Sequence, residues 1–276
     1  MSKCFAGTVH SLPNCVNCPV RRVTVCAAFE AQGWYPSMAA RSAIKRLSPR
    51  AEIYRQGQVL EDCFIVVTGW VALEMTLEDA SRHIFDFALP GDILGSWPGR
   101  GVTSSHSAEC LTDTTICVMP QAKLAQLAEG NRPMLVKLEE MLRIRLERAH
   151  DHILNIACRP ARNRLAHLLV SLFHRVHGQL PARGDRIALP LSQTQLADAL
   201  AITHVHTCRL LGKFREDGIL RFSGGVLEIY DGEALLREAD FEPQSPPSVP
   251  QASRTGGRSA APPVPAVPAG TLNTAS

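Results

Sequence analysis

The chain has 276 residues, 45 % of them apolar, and a formal net charge of only +3. That length accommodates two units with cores of their own. So small a charge excludes a bulk electrostatic argument for nucleic-acid binding, and any DNA contact must come from local placement. No apolar run reaches bilayer length, and the opening Met1-Ser2-Lys3-Cys4-Phe5 has no signal-peptide core, so the expected compartment is the cytoplasm and no membrane partner is expected. There, nine cysteines read as ligands, redox groups or core fillers rather than disulfides.

Residues 1–28 read as an arm carrying Cys15, Cys18 and Cys26. Two cysteines separated by two residues can turn onto neighbouring metal atoms, and the longer gap lets the third come round. Arg21 and Arg22 lie inside that loop, where positive charge lowers thiol pKa and offsets an anionic group. Zinc is the weaker reading, since structural zinc sites usually show two paired knuckles and only His10 offers a further ligand. A solvated arm with incidental thiols also fits the spacing.

Residues 30–47 look like a short lead-in helix, with Met38, Ile44 and Leu47 as its apolar positions. From about 50 to 119 the chain reads as short strands punctuated by Gly, Pro and Asp. They include Ile53-Tyr54, Phe64-Ile65-Val66-Val67, Trp70-Val71-Ala72-Leu73-Glu74-Met75, His83-Ile84-Phe85-Asp86-Phe87 and two strands within 107–119. Short strands at even spacing indicate a sandwich or barrel. After Pro133 the period changes: Leu135, Leu138, Leu142, Leu146, Ala149, Ile153 and Ile156 recur every three or four residues. That narrow stripe predicts a self-association helix over 133–157, the alternative being a helix lying on its own domain.

A second amphipathic helix is predicted over 162–177 and a short strand at 187–189. Ser192 with Gln195 forms a capping box for a helix ending at Leu200, and Thr203 caps the next, which runs to about Asp217. Two helices joined by so short a turn form a helix-turn-helix, and the hairpin 219–222/226–230 adds a wing. Residues 158–232 carry ten Lys/Arg against six Asp/Glu, a modest basic balance. From Pro243 onward the composition is too poor in apolar bulk to order itself.

The runs Tyr54-Arg55-Gln56-Gly57, Val66-Val67-Thr68-Gly69-Trp70-Val71-Ala72-Leu73 and Leu89-Pro90-Gly91-Asp92-Ile93-Leu94-Gly95 resemble the β-roll of the Crp/Fnr transcription regulators. The long helix, the 191–217 unit and the wing follow in that family's order. The resemblance covers about 14–232 and implies an α+β fold: a cyclic-nucleotide-binding-like β-roll (29–132), a dimerisation helix (133–157) and a winged helix-turn-helix domain (158–242), with the arm before and a disordered tail (243–276) after. Cys15, Cys18 and Cys26 with Cys117, set in Ile116-Cys117-Val118-Met119-Pro120, resemble the oxygen-responsive Fnr branch in its FnrN-type spacing. This implies a 4Fe-4S cluster on those four thiolates. Double-stranded promoter DNA, a homodimer and RNA polymerase are the implied partners. A family member without a cluster, constitutive or answering another effector, is the alternative. Cys4 and Cys110 are spare ligand candidates, while Cys63 and Cys158 read as core or surface thiols.

In the recognition helix Arg209 aligns with the family's guanine-reading Arg, a pairing that discriminates by about 1–3 kcal/mol. Val205 stands where the Fnr pattern has Glu, and Cys208 where it has Ser, so the half-site should depart from the usual box. His204 and His206 are further phosphate or base contacts, and Ser192, Gln193, Thr203 and Lys213 are backbone contacts. The cyclic-nucleotide sensors' Glu and Arg are missing from Gly95-Ser96-Trp97 and Ser105-His106-Ser107, so no cyclic nucleotide is expected. No catalytic constellation or phosphate-cradling loop is present, so the chain reads as a non-enzyme. A thiol or metal enzyme on the same roll is the remote alternative.

Overall fold

The computed structural model describes residues 15–32, 40–79, 81–95 and 103–242. The expectations for Cys4, His10, Met38, Ser96, Trp97 and the 243–276 tail lie outside these residues.

Among the described residues eight strands build the roll: β1 (Ala43–Leu47), β2 (Glu52–Tyr54), β3 (Asp62–Thr68), β4 (Val71–Thr76), β5 (Arg82–Ala88), β6 (Ile93–Leu94), β7 (Ser107–Cys110) and β8 (Thr114–Pro120). They form two antiparallel sheets, ordered β1-β8-β3-β6 and β2-β7-β4-β5. The β3–β4 turn passes through Gly69 at φ +93°, where any Cβ would lie 2.7 Å from the Asp113 carbonyl oxygen. Only glycine meets both demands.

Between the sheets sits a core of Ile53, Phe64, Val66, Val71, Leu73, Ile116 and Val118. Each sheet's other face is covered as well, which is why Phe64-Ile65-Val66-Val67 is one unbroken apolar run. Ile65, Val67 and Met119 face outward into a cluster that includes Val20, Val25 and Phe29 of the N-terminal segment.

Helix α1 (Gln121–Ala128) follows β8, and α2 (Arg132–Cys158) follows α1. Pro at the first turn and Asn131, whose side chain accepts from the Met134 amide, start α2. The winged unit comprises α3 (Ala161–His177), β9 (Arg186–Ala188), α4 (Gln193–Leu200), α5 (His204–Glu216), β10 (Leu220–Ser223), β11 (Val226–Ile229) and α6 (Gly232–Ala239). Its core is continuous with the outer face of the second sheet, through Ala72, Ile84 and Phe87.

A buried ionic cluster fastens these parts together. Asp92, from the turn before β6, accepts from Arg148 of α2 at 2.8 Å and from Arg175 of α3 at 3.1 Å. Arg175 also donates to Asp86 at 3.0 Å and to the Phe87 carbonyl at 2.7 Å. Beside it Arg82 of β5 pairs with Asp198 of α4 at 2.6 Å, and His83 meets His152 of α2 at 3.0 Å. Burial alone would raise the Asp92 pKa, but Arg148 and Arg175 outweigh it and hold the carboxyl far below its usual range.

The lead-in helix expected over 30–47 is corrected at its C-terminal end, with 33–39 outside the described residues. Residues 43–47 are strand β1, paired with β8 from Ala43↔Val118 to Leu47↔Thr114. Ile44 and Leu47, three apart, fit one helix face as well as a strand; pairing with residues seventy positions on decides between them. Cys117 does not lead directly into the long helix: α1 lies between, its Leu124 buried beside Met134.

The Asp92 carboxyl is depressed in the folded state, so its stabilisation is present above the ordinary value of 3.8 and fades as pH falls below it. Asp92→Asn removes one of the two carboxylates that Arg148 and Arg175 share, leaving Asp86 to face both, and should cost about 3 kcal/mol in urea unfolding at neutral pH. The variant should also flatten the acid limb of the stability curve. A neutral-pH loss under about 1 kcal/mol would remove this cluster from its fastening role.

Candidate cluster site and DNA-reading surface

The pleat of β8 builds half of the first site. Ile116 and Val118 point into the roll, so Cys117 and Met119 point outward. Cys117 lies opposite Ile44 on β1 and Ile65 on β3, and these outward side chains floor a recess.

The N-terminal segment forms its roof. Cys15 opens a short 3₁₀ turn (Cys15–Asn17), and the Cys18 amide donates to the Cys15 carbonyl at 3.2 Å. A further turn leads to the 3₁₀ helix Val25–Gln32, where the Thr24 hydroxyl accepts from the Cys26 amide at 3.3 Å. Buried Val20, Val25 and Phe29 hold this roof against the sheet and against Met134, Leu138 and Met141 of α2. Cys15, Cys18, Cys26 and Cys117 therefore line one recess of about 480 Å3 measured out to solvent, with walls of Val20, Ile65, Val67 and Met119.

Burial raises the Cys117 thiol pKa well above its ordinary value, and the nearby Cys26, Cys15 and Cys18 push the same way. Cys15 is raised by burial too, against the pull of Arg41. Sulfurs so grouped in an apolar recess need cationic company to ionise together, which iron would supply if bound. Among the described residues no three His, Cys, Asp or Glu form a group that could hold a single metal ion. The donor set, all sulfur and spread around one recess, fits an iron–sulfur cluster better than a lone zinc.

Of the two arginines expected to offset that charge, Arg21 lines the recess and Arg22 does not. Arg22 is exposed and paired with Glu30 at 2.6 Å, and Arg21 donates to the Val16 carbonyl. Arg41 also reaches in, its Nη1 donating to the Cys15 Sγ at 3.4 Å. Sequence reasoning missed it because the contact spans 26 residues. Of the other cysteines, Cys110 is buried in the roll's core, Cys63 is buried in the cluster on the first sheet's outer face, and Cys158 is exposed.

The second site is the outer face of α4 and α5. Ser192 accepts from the Gln195 amide at 3.1 Å and the Gln195 side chain returns the bond at 2.8 Å, completing the capping box. Thr203 accepts from the His206 amide at 3.2 Å, so both hydroxyls serve the helix starts that carry the surface. Between the helices Ala201 takes a left-handed φ of 52°. Thr207, Leu210, Leu211 and Phe214 anchor α5 inward. That leaves His204, Val205, His206, Arg209 and Lys213 exposed, with Val205, Arg209 and Lys213 at four-residue steps along one face. Cys208 is half-buried and donates its thiol to the Gln193 Oε1 at 2.7 Å.

Inside the roll His106 bonds the Tyr54 hydroxyl at 2.8 Å and packs edge-on to Phe85. Burial pushes the His106 pKa down to about 4, so the imidazole is neutral at physiological pH. No helix of the described residues is long and apolar enough to cross a membrane.

Residues 44–131 match the cyclic nucleotide-binding domain model and 163–238 the Crp-like helix-turn-helix domain model. The nitrogen fixation regulation protein FixK of Rhizobium meliloti is 31% identical over 204 residues, covering 72% of this chain and 88% of that protein. The transcriptional activator protein FnrL of Cereibacter sphaeroides is 26% identical over 244 residues, covering 84% and 96%. The solved structure of FixK2 from Bradyrhizobium japonicum superposes with a TM-score of 0.64 at 29% identity, covering 71% of this chain and 96% of that one. With a two-sheet roll, a long connecting helix and a capped helix pair in this order, the chain belongs to the Crp/Fnr family of DNA-binding transcriptional regulators.

Proposed function

We propose that this regulator senses oxygen or redox state through a 4Fe-4S cluster held by Cys15, Cys18, Cys26 and Cys117, and that the cluster governs how two chains pair on promoter DNA. The convergence of four cysteines, one of them about ninety residues beyond the others, on one recess carries this reading. When bound, the cluster supplies an oxygen-sensitive cross-link between the roof and β8.

The chain's own residues transmit that state. Val20, Val25 and Phe29 of the roof share a cluster with Met134, Leu138 and Met141, so the seating of the roof bears on the first half of α2. The predicted seam divides accordingly: Leu138 is only 7% exposed and faces home, while Leu135, Leu142, Leu146 and Ile153 stand out, the last two at 56% and 62%. This outward stripe is the proposed homodimer face. Pairing along it would set two α5 helices on one palindromic site about one DNA turn apart. Arg209 is the proposed guanine reader, with Val205 offering a methyl surface in place of a carboxylate. Ser192, Gln193, Thr203, His204, His206, Cys208 and Lys213 complete the proposed contact set. RNA polymerase is the further partner that activation from a promoter would need. The aromatic packing around His106 supports a structural use of the roll interior rather than a nucleotide pocket.

Anaerobic reconstitution with ferrous iron and sulfide should give a coloured protein whose grip on palindromic promoter DNA is lost in air, with Cys18→Ser and Cys117→Ser each abolishing iron uptake. A colourless, iron-poor wild type or air-indifferent DNA binding overturns the sensing claim and leaves a cluster-free regulator. Arg209→Ala should weaken binding to the selected half-site by about 1–3 kcal/mol and binding to random DNA far less, read by fluorescence anisotropy. Equal losses on both would make Arg209 a phosphate contact. In analytical ultracentrifugation Leu146→Glu should shift the protein toward monomer; an unchanged dimer would place the pairing face elsewhere.

A further inference from the structure

Four thiolates around an iron–sulfur core carry net negative charge, and net charge is one of the levers that sets such a group's potential. The recess that would hold it is walled by Val20, Ile44, Ile65, Val67 and Met119, which offer no compensation. Among the cations lining it, Arg21 gives its Nη1 to the Val16 carbonyl, whereas Arg41 gives its own to a sulfur, at 3.4 Å from Cys15.

The position of Arg41 is fixed by its neighbours. Ala40 is buried in the cluster beneath the roof. Ser42 donates to the Val118 carbonyl through its amide at 2.9 Å and through its hydroxyl at 3.2 Å. Arg41 is thus tied to β8 beside Cys117 while its half-buried side chain reaches across to Cys15 on the opposite wall. A planar guanidinium keeps its charge in such a setting and presents several donors to acceptors on one side.

We infer that Arg41 is the charge partner of the thiolate-bound cluster, a positioning residue that sets the cluster's reduction potential and its survival in air. This rests on the cluster reading above. An electron passing from the cluster to dioxygen, which becomes superoxide, changes the charge in the recess toward positive. A fixed cation opposes that transfer, and its removal favours it.

The test uses full-length protein reconstituted anaerobically with ferrous iron and sulfide, as wild type, Arg41→Gln and Arg41→Lys. Glutamine keeps a donor without the charge; lysine keeps the charge. Arg41→Gln should show a lower midpoint potential by dye-mediated titration. It should also lose its visible absorbance in air about fivefold faster, the scale of one partly screened charge contact. Arg41→Lys should restore most of both. Iron uptake by the lysine variant alone also supports the role. An unchanged potential and half-life in Arg41→Gln overturns it, as does a lysine variant no better than the glutamine one. So does failure of both variants to take up iron while circular dichroism shows them folded. A wild type that binds no iron or sulfide defeats the cluster reading itself, and this inference with it.

Discussion

A slip of one residue in the pairing of β8 would turn Cys117 into the roll and Ile116 out toward the roof. The candidate cluster site depends on that register. It is held from two sides, by β1 through Ile44↔Cys117 and by β3 through Ile65↔Cys117. The inward pair Ile116 and Val118 makes the alternative costly, since a slip would give up their close packing against Phe64, Val66 and Leu73 between the sheets. A thiol far along the chain is thereby presented to three near its start, and the roof needs only to fold down over it.

The same sheet pair explains how the candidate cluster site and the DNA-binding unit share one molecule. The first sheet's outer face carries the roof and the first half of α2; the second sheet's outer face carries the winged unit. Where α2 passes between them, Arg145 donates to the Ile93 carbonyl at 3.1 Å and Arg148 reaches Asp92. One helix therefore touches the roof at Met134, the roll at Arg145 and, through the shared Asp92, the reading unit at Arg175. Packed elements with discrete ionic contacts are the kind of connection along which a change at one end can bias the other.

Much of this was legible in the sequence where local chemistry decides. The Ser192/Gln195 box and the Thr203 cap announce their helices because a side chain three residues from its amide partner is a local bond. The roll strands are visible through their turns and apolar runs. What was not legible depends on distance along the chain. β1 read as a helix because its partner, β8, lies far downstream. Arg22 looked like a charge partner of the thiols because it is near in sequence, yet it pairs with Glu30, while Arg41, far in sequence, reaches the Cys15 sulfur. The seam of α2 was visible as a stripe, but only the fold shows that Leu138 turns home while Leu146 does not.

Ala72, Ile84 and Phe87 belong by sequence to the roll, but they pack in the core of the winged unit. Trimming the chain near Arg159 to isolate the reader would uncover that core and strand Arg175 without its two aspartates. A chimera that swaps sensors within this architecture must therefore carry the outer face of the β4–β5 hairpin along with the reader, because the functional border and the packing border do not coincide.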